Sequence, residues 1–368
     1  MVFERIESAK EFYELREEWN VLLQSSASNC VFLTHEWMST WWKHLRETRQ
    51  LSIITARESG RLIGIMPLAL RPPQYARMMP RLLEFLASGI IGSDYLDIII
   101  QRGCEGEMIC GFSSELSRRG MMLQFSQLRR HACVVSALPE TLRRDRWTAQ
   151  ETGINVCPFI DLTNHTWETY LGTLGSSHRY NFNRRLRALY KTFDVRLESI
   201  RSSNDAQRGL DIIMALHRRR WDGHGNSEAF PTSSTIDFHR EFVGLAAECG
   251  WLRLYILSLD ERPVAAIYGM RYGPTFYFYQ SGFDPAFSKN SVGLVMMGLS
   301  IKAAIEEGAS EYDLLHGDEE YKFHWAHDRR ELGRLELYPP HRPGRFYKRA
   351  IDFNRAARRM ARRVLKQG

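Results

Sequence analysis

Glu311-Tyr312-Asp313-Leu314-Leu315-His316-Gly317-Asp318-Glu319-Glu320-Tyr321-Lys322-Phe323-His324-Trp325 is the stretch on which the reading of this chain turns. A strand-like apolar run, Tyr312 to Leu315, stops at a glycine flanked by titratable groups, and three acids, a tyrosine, a lysine and a tryptophan follow. Buried strands seldom end in so many groups that titrate, donate or stack unless the turn lines a site. The stretch therefore predicts one wall of an active site at the edge of a sheet.

Upstream, the spacing predicts a helix from Ser291 to Glu307 that ends at Gly308, as a helix terminus should. Before it come the strands Leu252–Leu257, Val264–Arg271 and Thr275–Ser281, with Asp260-Glu261-Arg262-Pro263 as a turn, and helices over Leu210–Trp221 and Thr235–Cys249. The first third has a similar order. Helical spacing runs from Ala9 to Gln24, and a second helix carries Trp37, Trp41 and Trp42 with Thr34 as its N-cap. Strands 51–56 and 62–68 flank the turn Glu58-Ser59-Gly60-Arg61, Leu96–Ile100 is another strand, and Glu105–Arg119 a helix ending at Gly120. Between the halves, Thr148 to Pro158 reads as a break. Each half holds two helices, a hairpin, then helix and strand, which predicts a diverged structural duplication.

At 368 residues the chain has room for two domains. Its 44% hydrophobic and 25% charged fractions are those of a globular protein. No run approaches the roughly 20 apolar residues that cross a bilayer, and the start lacks a signal-like hydrophobic region, so a cytoplasmic protein is expected. Six cysteines are scattered without a CxxC pair, which argues against a zinc site or a disulfide framework, and no metal is expected. The net charge of +7 is local: His341 to Gly368 carries ten Lys/Arg against Asp352, or +9, leaving −2 for the rest.

These features together resemble the CelD-type acyltransferases of cellulose and exopolysaccharide biosynthesis, in the GNAT superfamily and related to the FemAB peptidyltransferases. The residues carrying the likeness are Phe32, Thr34, Glu36 and Trp37; Gly64 with Pro67-Leu68; Asp94-Tyr95 with Asp97; Arg179 and Arg184; Ser281-Gly282-Phe283-Asp284-Pro285; Ser291 with Gly293; and Asp313 through Trp325. The resemblance spans roughly residues 10 to 330. It implies an α/β (α+β) protein of two tandem GNAT-like domains, 1–150 and 151–340, each a mixed, largely antiparallel sheet flanked by helices. A basic amphipathic helix, 341–368, follows. The second domain should hold the active cleft.

In GNAT chemistry a thioester and an amine must meet, a base must take the proton, and donors must stabilise the oxyanion. The resemblance thus implies acyl-coenzyme A as co-substrate, with its pyrophosphate on the amides opening a helix. Asn290, Ser291, Val292 and Gly293 are placed for this; they equally suit a plain Asn/Ser cap with a packing glycine. Asp318, Glu319 and Glu320 are candidate bases, Tyr321 a candidate acid, and Lys322 a partner for phosphate or carboxylate, unless the acids are only a solvated turn. No nucleophile–base constellation is visible, so direct attack is expected.

Ser177 to Arg187 is basic with interleaved aromatics, and His217-Arg218-Arg219-Arg220-Trp221 is a second such cluster. Arg179, Arg184, Arg220 and Trp221 are therefore candidate substrate contacts, with Tyr279 on its strand and Trp325; a cationic surface helix is the alternative. Such a helix suits a phosphorylated acceptor, or tRNA as in FemAB-like aminoacyl transfer. From Phe346 to Val364 apolar residues recur four and three apart, with arginines opposite, which predicts a helix that rests on an anionic membrane, docks on the body or binds nucleic acid. The expected partner is a small molecule or glycan precursor, the expected place the cytoplasm, in part at the inner membrane surface. A non-catalytic scaffold is the remaining alternative.

Overall fold

The computed structural model describes residues 1–72, 81–89, 91–221, 230–341, 344 and 348–349. Among these, eleven strands form one sheet, in the order Val195–Ile200, Leu252–Leu259, Arg262–Tyr272, Thr275–Phe283, Glu311–Asp313, Thr148–Asp161, Asp328–Tyr338, Met122–Arg129, Leu82–Phe85, Leu68–Arg71 and Gln50–Leu51. Four more, Val2–Ile6, Ile53–Glu58, Arg61–Met66 and Ile99–Ile100, form a second sheet. Helices flank both, giving the mixed α/β architecture that the sequence predicts.

Pairing is antiparallel except at two places, and those two places define the repeat. Leu82–Phe85 runs parallel to Met122–Arg129, and Thr275–Phe283 parallel to Glu311–Asp313. A parallel pair needs a crossover, supplied by the helices Glu105–Arg119 and Val292–Glu306. After each crossover and its parallel strand comes a short helical turn, Cys133–Ser136 or Glu320–Phe323, then a long strand; in the first repeat a further helix, Leu138–Arg144, intervenes.

The long strands are exchanged between repeats. Thr148–Asp161, which closes the first repeat, pairs with Glu311–Asp313 of the second. Asp328–Tyr338, which closes the second, pairs with Met122–Arg129 of the first. The two exchanged strands pair with each other from Phe159↔Asp328 to Thr148↔Tyr338. Thr148–Pro158 is thus the centre of the sheet rather than a break, and residue 150 falls inside it. Its first residues are exposed or half-buried and polar, so no apolar alternation betrayed the strand.

Other elements differ in detail. Ala9–Gln24 forms two helices meeting at Leu15, and the strand expected over Leu96–Ile100 shortens to Ile99–Ile100. Thr34 caps its helix, accepting from the Trp37 amide at 3.3 Å. The hairpin turn has positive φ at both Asp260 (49°) and Glu261 (66°), the mirror-image turn that matches strand twist.

The halves share a core. Trp37, fully buried on helix His35–Leu45, meets Phe32, Phe238, Phe242 and Tyr279 edge-on, at centroid distances of 5.0, 5.0, 4.7 and 5.6 Å. Its indole N–H donates to Ser93 Oγ at 2.9 Å. Elsewhere the basic helix Ser176–Thr192 seats Phe182 directly on Gly298; a Cβ there would run into the ring. No described helix is long and apolar enough to cross a membrane. The basic helix expected over 341–368 lies almost wholly outside the described residues.

Candidate active site

The end of strand Thr275–Phe283 and the start of helix Val292–Glu306 line a cavity of about 290 Å³. Ser291, in the left-handed region (φ 57°, ψ 40°), turns the chain into the helix. The first intrahelical bond is Val295 N–H to Ser291 O at 3.1 Å. The amides of Val292, Gly293 and Leu294 precede it, and all three residues line the cavity. No acid sits in this first turn. The remaining wall is largely apolar, with Ile267, Phe278, Met296 and Met297, while Arg220 adds a cation.

A second, polar cavity of about 360 Å³ adjoins it, since Phe278 and Tyr321 line both. Its chemistry centres on His316. The imidazole Nδ1 lies 2.9 and 3.0 Å from the two oxygens of Asp94, a fully buried carboxylate from the first half, and the His316 amide donates to Asp94 at 2.9 Å. Gln127 donates to the same carboxylate at 2.9 Å. Burial works against charging His316, but the hydrogen bond and charge of Asp94 outweigh it and raise its pKa above the usual value. With Nδ1 on the carboxylate, Nε2 is left to accept a proton.

Strain accompanies this pair. Tyr95, Gln127 and Leu315, each beside or bonded to the dyad, have φ of 63°, 60° and 55° without being glycine. Such conformers cost on the order of 1–3 kcal/mol each and cluster at functional sites. Next to them, Tyr95 donates its hydroxyl to Asp313 at 2.7 Å, and burial pushes the Asp313 carboxyl up to about 6 despite Arg330 at 3.2 Å. Burial likewise pushes the Cys30 thiol to about 11 and Cys133 to about 12, so neither is a ready nucleophile.

The predicted residues divide. Ser291, Val292, Gly293, Arg220, Tyr321 and Trp325 line the apolar cavity, with His178 at 4.5 Å centroid distance edge-on to Trp325. Burial raises the Tyr321 pKa, which keeps its hydroxyl protonated. Tyr279 lines the polar cavity, but its hydroxyl is bonded to Ile91 O. Lys322 is there too, yet buried: its ammonium donates to His316 O (2.7 Å) and pairs with Glu319 (3.0 Å), so it props the loop rather than meeting a phosphate.

Asp318 and Glu320 are exposed and line neither cavity, whereas Glu319 lines the polar one. Gly317, at φ 129°, reverses the chain, and the short helix then faces Tyr321 and Lys322 inward and Glu320 outward, its side chain 93% exposed. Arg179 is spent on the carbonyls of Leu171 and Gly172, and Arg184 on Asn181; neither lines a cavity, nor does Asn290. The Trp221 side chain lies outside the described residues. His316 with Asp94 is what the sequence reading missed as a site, although both residues stand in quoted motifs. The residues are 222 positions apart, and only the exchanged sheet brings them together.

Residues 176–323 match the family described as an acetyltransferase (GNAT) domain. No curated protein matches the sequence. Among solved structures, FemX is similar over 91% of this chain and 97% of its own, at TM-score 0.62 and 11% identity. The C-terminal domain (DUF2156) of a protein assigned as lysylphosphatidylglycerol synthetase from Agrobacterium fabrum covers 89% and 92%, at 0.56 and 9%. L-PGS from Bacillus licheniformis covers 87% and 90%, at 0.51 and 11%. These likenesses concern the fold. The domain match over 176–323, which takes in the helix start and the short helix of the cavities, gives this chain an acyltransferase domain of the GNAT type.

Proposed function

We propose that the chain transfers an acyl group from acyl-coenzyme A to an amine or hydroxyl of a small molecule or glycan precursor, in polysaccharide biosynthesis of the CelD kind. One observation carries this reading: an apolar cavity beside open helix amides meets a polar cavity holding a His–Asp dyad, at Phe278 and Tyr321. The amides of Val292, Gly293 and Leu294 suit a pyrophosphate, where the helix dipole favours an anion. Ile267, Met296 and Met297 suit an acyl chain.

His316 Nε2 takes the proton of the attacking amine or hydroxyl, while Asp94 holds the ring and stabilises the imidazolium. The new C–N or C–O bond forms as the C–S bond breaks. Tyr321 gives its proton to the leaving sulfur. Lys322 and Glu319 hold the loop that presents His316.

A second reading, aminoacyl transfer from charged tRNA, is favoured by the exposed face of helix Ser176–Thr192, where Tyr180 and Tyr190 stand among Arg184, Arg187 and Lys191. Calorimetry with acetyl-, palmitoyl- and free coenzyme A, and with charged tRNA, separates the two. Saturable thioester binding is expected; binding of tRNA alone would replace the first reading by the second. The basic residues between 342 and 368 would let the enzyme rest on an anionic bilayer.

A further inference from the structure

A cavity of about 830 Å³, far larger than the acyl-donor cavity, lies in the first repeat, and acyl transfer makes no use of it. Like the donor cavity of the second repeat, it is lined by the start of the crossover helix and by the short helix that follows. Its walls include the helix start at Glu105, the end of strand Met122–Arg129, and the short helix at Cys133 and Ser136.

The charges in this cavity do not balance locally. Asp97 accepts from the amides of Ile98, Cys133 and Val134 at 2.8, 3.0 and 3.1 Å, and Glu105 from Gly103 N–H at 2.8 Å. Arg130 pairs with Glu331 at 3.3 Å, and Arg330 with Glu311 and Asp313. Arg329 also has no carboxylate partner but is exposed to solvent; Arg129 is half-buried, makes no ion pair among the described residues, and its buried Nε has no hydrogen-bond partner. Its guanidinium carbon lies over the Tyr95 ring, 3.9 Å from the centroid, which holds it in place without neutralising it. Asp97 feels the charge of Arg129 but forms no ion pair with it; a partly desolvated cation without such a partner is costly, and a planar guanidinium fits a carboxylate or phosphate through two hydrogen bonds.

We propose that this cavity binds an organic anion, whose carboxylate or phosphate supplies the counter-charge to Arg129 while Ile98, Ile100 and Ala137 receive its apolar part. The volume is in the range of small-molecule sites. The proposal stands apart from the acyl-transfer reading.

Calorimetric titration of the full chain with inorganic pyrophosphate and, separately, with succinate tests it. Saturable binding of at least one probe that persists in a Gly293→Asp background is expected, and which one binds tells phosphate from carboxylate. Arg129→Met should weaken that binding roughly tenfold or more while the melting temperature holds or rises, since an unpaired buried cation has been removed. Ser136→Trp, at an exposed position on the cavity, should weaken it without altering Arg129. If neither anion binds the wild type, or if the folded variants bind as the wild type does, the proposal is overturned.

Discussion

The molecule builds one strand–helix–strand crossover twice, and the two copies differ most where the helix begins. In the second, Ser291-Val292-Gly293 presents bare amides with no acid in the first turn. In the first, Glu105 and Glu107 occupy that turn, and Glu105 accepts the Gly103 amide. The helix start thus leaves its amides free of neighbouring carboxylates in one copy, behind a left-handed Ser291, and sets two carboxylates among them in the other, behind Cys104 at φ −104°. The first copy has its cation elsewhere, on the strand end at Arg129. Duplicated scaffolds need not duplicate ligands: a few side chains at a helix start redirect the chemistry.

The largest expected effect falls on the dyad that only the second copy completes. His316→Gln should lower kcat by about 10²–10⁴, the range of a lost general base, with KM for the donor little changed. Asp94→Asn keeps the ring in place but removes the charge that raises its pKa. The alkaline-rising limb of the pH–rate profile should then move to lower pH, with kcat reduced. An unmoved limb would mean that His316 is not the group that titrates.

At the helix start, Gly293→Asp should raise the donor KM roughly tenfold or more by placing a carboxylate among the amides, imitating the first copy. Glu105→Gln in the first copy should leave kcat and KM unchanged. A smaller effect concerns stability. The folded pKa of His316 is raised above its unfolded value of about 6.5, so its contribution is complete below that pH and fades as pH rises through the folded pKa. Urea midpoints across this window should fall with pH in the wild type and less in His316→Gln. Asp318→Asn and Glu320→Gln, exposed and outside both cavities, should change activity less than any of these.

What the sequence could show follows the range of the interactions. Local signals were legible: the Thr34 cap, Gly120 and Gly308 after their helices, and the helix start at Ser291 all stand where their chemistry puts them. The turn after Leu315 was legible as a site because its polar residues are contiguous. Which of them face inward was not, since that depends on the Gly317 reversal and the register of one short helix. Strand Thr148–Asp161 was hidden because its partners on both sides belong to distant segments and its own residues are half polar. The Asp94–His316 pair was hidden for the same reason.

The comparison between the copies comes down to where the acyl donor binds. Calorimetry of acetyl-coenzyme A should give one site per chain, weakened roughly tenfold or more by Gly293→Asp and unchanged by Ser136→Trp. Binding that survives Gly293→Asp and disappears with Ser136→Trp would place the donor in the first copy and contradict the account.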